Sequence, residues 1–135
     1  MLHSEINNLP DQPMRFIQMW FFPEKPGLTP SVQQKKVEKN ERTDKLLPLV
    51  SNKDKGSLKI SSEAKVYSCF LQKGKTVSYK FKEGYGGYLY LLEGGPLTIN
   101  NEVLYHLDAA MIRQEEGLLI KAKEDTELLL GVPLV

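Results

Sequence analysis

The chain has 135 residues, 41% of them hydrophobic and 26% charged, with a formal net charge of +1. These values describe one globular domain with a real core and exclude an overall electrostatic pull towards nucleic acid or an anionic membrane. No apolar run approaches the roughly 20 residues of a membrane-spanning helix, and no basic-then-apolar leader opens the sequence. The expectation is a cytoplasmic protein with neither a nucleic-acid nor a membrane partner. The one cysteine, Cys69, sits in the apolar run 66–71 and reads as a buried structural thiol.

Residues 1–13 are polar and contain two prolines, which predicts an N-terminal arm ahead of a single domain at 14–135. The arm holds His3-Ser4-Glu5, the one place where a histidine and a carboxylate are close in sequence. Positions two apart on a strand share a face, so His3 and Glu5 could ligate one metal. Arg15 to Phe22 follows, Arg-Phe-Ile-Gln-Met-Trp-Phe-Phe. As a strand it would put Phe16, Gln18, Trp20 and Phe22 on one face and Ile17, Met19 and Phe21 on the other. Both faces are largely apolar, so both need cover, one from this domain and one from a second domain or subunit.

Pro23, Pro26, Gly27 and Pro30 then predict an extended loop. Residues 33–45 are highly charged and read mostly as loop. Leu46 to Val50, Ser57 to Ile60, Ala64 to Leu71 and Thr76 to Phe81 are expected as short strands rich in Val, Ile, Tyr and Phe. Gly74-Lys75-Thr76 is a hairpin turn and not a phosphate loop, because Cys69 stands where the upstream glycine belongs. Gly84, Gly86 and Gly87 are expected as a turn that lacks a dinucleotide fingerprint.

From Tyr88 to Ile120, short apolar runs alternate with turns. Gly94-Gly95-Pro96 breaks one strand, Asn100-Asn101 suits a tight hairpin, and Asp108 marks another turn. Thr126 to Gly131 is expected as the last strand. About ten short strands without a long amphipathic helix predict an all-β antiparallel sandwich.

The strand, Gly-Pro break, hairpin, Asp-turn order of 88–120 resembles the second half of a cupin, a jelly-roll-like β-sandwich or barrel. His3-Ser4-Glu5-Ile6-Asn7, followed by Arg15-Phe16-Ile17-Gln18-Met19-Trp20 and a Pro-rich loop to Gln33-Gln34-Lys35, is similar to the middle of a pirin-family protein. The rest is similar to that family's C-terminal cupin domain. The resemblance implies a truncated bicupin that begins inside the metal motif of the other half. In that family three histidines and a glutamate hold a mononuclear iron, and some members are quercetin dioxygenases. His3 and Glu5 match the last two ligands. The first two come from a His-x-His motif upstream, and His106 is the only further histidine. The family's Gly-Asp turn appears here as Leu107-Asp108.

Three readings follow. The first is a non-catalytic domain, with no cofactor and no catalytic residue assigned, that works by association as a homo-oligomer. In a two-domain pirin the match to Arg15–Phe22 lies near the domain junction, so Phe16, Met19, Trp20 and Phe21 are the candidate interface. The second is half of a split quercetin 2,3-dioxygenase completed by a separately encoded N-terminal pirin half. The third is a small-molecule binder with Tyr79, Tyr88 and Tyr90 lining the barrel interior.

Overall fold

The computed structural model describes residues 4–135. Among them the regular elements begin with a single 3-10 turn at Lys39–Arg42 and continue as nine strands: β1 Leu47–Val50, β2 Lys65–Leu71, β3 Thr76–Lys80, β4 Gly87–Gly94, β5 Leu97–Ile99, β6 Glu102–Leu104, β7 Ala109–Ile112, β8 Gly117–Ala122 and β9 Thr126–Val132. They form two antiparallel sheets, β1-β2-β9-β4-β7 and β3-β8-β5-β6. This is the expected all-β sandwich of cupin type.

Alternation along each strand decides what lies between the sheets. Tyr67, Cys69 and Leu71 of β2 point inward, as do Leu89 and Leu91 of β4, Leu118 and Ile120 of β8, and Leu128, Leu130 and Val132 of β9. Most are fully buried, and each large aliphatic side chain so placed contributes about 1.5–3 kcal/mol. The interior is therefore packed with hydrocarbon. The described residues show no helix long and apolar enough to cross a membrane.

The turns follow their residues. Asn100 adopts φ +48 between β5 and β6. Its side chain accepts from Leu119 N–H at 2.9 Å and donates to the Gly117 carbonyl at 3.2 Å, which fastens the hairpin to β8. Leu107 takes φ +67, a conformation that favours glycine. Asp108 supports that turn: its carboxylate accepts from Tyr105 N–H at 2.8 Å, and its own N–H donates to the Tyr105 carbonyl at 2.9 Å.

Three expectations need correction. Arg15–Phe22 is not a strand; residues 13–23 are irregular. The segment runs across the face of the larger sheet rather than along an edge, so its backbone cannot join the ladder. Ser57–Ile60 is reduced to one bridge, Leu58 with Val50, because the turn before it is held by side chains instead: Ser57 Oγ donates to the Ser51 and Asp54 carbonyls. Gly87 belongs to β4 and not to the preceding turn.

Candidate functional site

The residues of β4 and β9 that alternate with the core point to the outside of the five-stranded sheet: Tyr88, Tyr90 and Leu92 from β4, Leu129 and Gly131 from β9. This sheet is apolar on both faces. Residues 15–24 lie over the outer one. At one end the Arg15 guanidinium donates to the Leu92 carbonyl at 3.3 Å and pairs with Glu93 at 3.6 Å. At the other, Glu24 N–H donates to the Ser61 carbonyl at 2.9 Å. The segment is a strap fixed near both ends.

Beneath and beside the strap are two hollows. One, of about 390 Å³, runs from Ile17–Phe21 down to Tyr88, Tyr90, Leu129, Gly131 and Pro133. The other, of about 430 Å³, lies between Trp20–Phe22 and the stretch Ser62–Ala64, with Pro133 and Leu134. Along the sheet, Val66 is 1% exposed and shares a further hollow with Phe16, Ile17 and Met19. The strap thus covers part of the outer face while showing its own apolar side to solvent. Trp20 is 85% exposed, Phe22 95%, Phe16 57% and Met19 42%. Of the four candidate interface residues, only Phe21 is half-buried.

Charged pairs lie around the larger sheet. Glu63 accepts from Lys53 at 2.8 Å and from the Tyr85 hydroxyl at 3.0 Å, and both hydrogen bonds hold its carboxyl below the usual range. Asp54 pairs with Lys65 at 2.9 Å; that hydrogen bond, then one involving Ser51, lowers its carboxyl too. Arg42 reaches both carboxylate oxygens of Glu127 at 3.2 Å and ties the 3-10 turn to β9. These contacts anchor the loops around the larger sheet.

The three tyrosines proposed to line the interior do not come together. Tyr79 stacks edge-on with Tyr67 and Phe81, at centroid distances of 5.2 and 5.1 Å, against the core. Tyr88 and Tyr90 are on the outside, because Leu89 and Leu91 take the inward positions of β4. Sequence reasoning identified Thr126 to Gly131 as the last strand and assigned no role to either of its faces. The signal it passed over was Leu129 and Gly131, alternating with Leu128 and Leu130, which give β9 a second apolar face.

His3, the first of the two metal-ligand candidates, lies outside the described residues. Glu5 is exposed on irregular chain, and His106 is exposed in the β6–β7 turn. Among the described residues no three His, Cys, Asp or Glu side chains come together to hold a metal ion. The residues described do not fit an iron held by three histidines and a glutamate. Cys69 is fully buried, and burial pushes its thiol up to about 11, which suits packing and not nucleophilic attack.

Residues 49–130 match the family model of the quercetinase C-terminal cupin domain. A pirin-like protein of Caulobacter vibrioides is 33% identical over 95% of this chain and 55% of its own length. The quercetin 2,3-dioxygenase of Escherichia coli K12 is 27% identical over 95% of this chain and 54% of its own. The chain spans about half the length of the curated relatives it matches. The bacterial pirin YhhW of Escherichia coli, solved in complex with nickel(II), superposes with a TM-score of 0.75 over 83% of this chain and 47% of that one, at 24% identity. That likeness shows the shared fold.

Proposed function

The chain belongs to the quercetinase C-terminal cupin domain family of pirin-like proteins, and from that premise we propose that it works by protein association and not by catalysis on a metal of its own. The observation that carries this reading is the strap. Phe16, Met19, Trp20 and Phe22 form a run of exposed apolar side chains on one face of a sheet that is itself apolar on that side. Contiguous apolar surface of this kind marks an interaction site far more often than idle surface. The occupant proposed is a second copy of the chain, giving a homodimer.

Sedimentation of the purified chain at micromolar concentration is expected to give twice the chain mass. The double substitution Phe16→Ser with Trp20→Ser is expected to return the mass to that of a monomer, since both side chains are exposed and contribute little to the fold itself. Monomer alone across the range would overturn the reading. The same preparation is expected to contain no stoichiometric iron and to leave quercetin intact. Iron and oxygen-dependent quercetin cleavage, both lost on His3→Ala, would reverse that expectation.

A second reading is favoured by one observation: the named quercetin 2,3-dioxygenase relative is nearly twice as long as the part this chain matches. In that reading a separate N-terminal cupin supplies a His-x-His pair, this chain supplies His3 and Glu5, and the outer sheet face meets that partner. Mixing the chain with the recombinant N-terminal half of the Escherichia coli relative tests it. Quercetin cleavage that appears on mixing and disappears with His3→Ala supports the split enzyme; no cleavage refutes it.

A further inference from the structure

Trp20 is the only tryptophan in the chain, and it lines two of the hollows of the outer face. It is a ridge with a recess on either side. The recess towards β9 exists because Gly131 and Pro133 present little side chain there. A Cβ placed on Gly131 would meet nothing nearer than the Tyr88 carbonyl oxygen, at 3.8 Å. A ridge and a recess on one face are complementary to a copy of themselves turned about a two-fold axis.

We propose that two copies of this chain meet through this face, each seating Trp20 in the recess over the partner's Gly131. The inference rests on the association reading above and states where the contact is made. Area favours a second copy as the occupant. Phe16, Trp20, Phe22 and Tyr88 are 57, 85, 95 and 51% exposed. With aromatic side chains burying about 150–250 Å² each, they offer roughly 600 Å². Ile17, Met19 and Met111 on the same face add to it, at 37, 42 and 67% exposed. A stable interface takes about 800 Å² from each partner. The charges at one end of the face, Arg15 and Glu93, are of opposite sign and both more than half exposed. A copy of this face therefore does not meet a wall of like charge. Trp20 also has the character of a binding hot spot: a large aromatic side chain opposite a recess that excludes water when filled.

The single tryptophan makes the contact readable. The intact chain is followed over a dilution series by sedimentation and by tryptophan emission with acrylamide quenching. The expected result is a monomer–dimer equilibrium in which the emission moves to the blue and quenching falls at the same midpoint as the mass changes. Gly131→Leu fills the recess from the outer side of β9 and is expected to weaken the dimer by about tenfold or more, with cooperative thermal unfolding showing that the chain still folds. Trp20→Ala is expected to weaken it at least as much. A dimer whose Trp20 emission stays that of exposed indole, and which tolerates Gly131→Leu, overturns this inference while the association reading stands. A monomer at every concentration overturns both.

Discussion

Alanine in place of Gly94 tests how closely the end of β4 is held against the turn between β8 and β9. Gly94 has φ +77, and a Cβ built there falls on the Asp125 carbonyl oxygen. Two costs add. An L-residue in the left-handed region costs about 1–2 kcal/mol. The overlap is with main chain and cannot be relieved by a rotamer change, so the Glu93↔Glu127 and Gly94↔Thr126 pairs must part. One or two ladder hydrogen bonds at about 1 kcal/mol each are then lost, and Thr126, 1% exposed, is opened to water. The expected loss is about 2–4 kcal/mol, a large share of the roughly 5–15 kcal/mol a domain of this kind holds. Gly74 is the control. Its φ is +76 and nothing lies within 4 Å of its added Cβ, so Gly74→Ala should lose only the conformational part, about 1–2 kcal/mol. Urea denaturation of both variants and the parent gives the difference directly. Equal destabilisation of the two would refute the argument, because it would mean that β4 and the Asp125 turn separate at no cost.

Further outcomes follow from other contacts. Cys69, with its thiol raised from 9.0 to about 11 by burial, should resist Ellman's reagent in the native chain at mildly alkaline pH. It should react by at least about a hundredfold faster in urea; prompt native reaction would contradict the packing of β2. Lys65→Met should remove the largest part of the stabilisation that comes from Asp54, leaving the smaller part held by Ser51. The folded chain holds that carboxyl below its ordinary 3.8, so the stabilisation is present above that value and lost as pH falls through the lower folded one. The gap in urea midpoint between parent and variant should therefore be constant near neutrality and close at acid pH; a gap that widens on acidification would refute the assignment. Arg42→Ala leaves Glu127 without the guanidinium that meets both its oxygens, with side chains only 17 and 25% exposed. It should cost about 1–2 kcal/mol, and a double-mutant cycle with Glu127→Gln measures the coupling.

Much of the sandwich was legible in the sequence. Strands β2, β3, β4 and β9 fall within a residue or two of the apolar runs that predicted them, since period-two burial leaves a clear local pattern. The Asn100 hairpin was legible for a steric reason, Asn being at ease with positive φ. Arg15–Phe22 was misread because its composition matches a buried strand. What composition cannot supply is direction. The same residues serve equally well lying across a face as paired at an edge, and only the long-range contacts of Arg15 with β4 and of Glu24 with Ser61 distinguish the two. The placement of Tyr88 and Tyr90 failed for a related reason, because β4 is apolar on both sides and its register is fixed by β9 and β7. The recess over Gly131 was not legible, since it arises where a strand without a side chain passes beneath a strap more than a hundred residues away in sequence.

The position of β9 at the centre of the five-stranded sheet bears on how the protein is made. β1 and β2 lie on one side of it, β4 and β7 on the other, and the two pairs are joined within the sheet's hydrogen-bonded ladder only through β9. A ribosome synthesises this sheet from its flanks inward. Until residue 132 clears the exit tunnel, Cys69, Leu71, Leu89 and Leu91 have no neighbour between them, and both pairs present a free edge with apolar side chains behind it. Long-range strand pairing of this type is slow and leaves the nascent chain open to the wrong partners. A fragment ending before Thr126 would keep two strand pairs with nothing to join them.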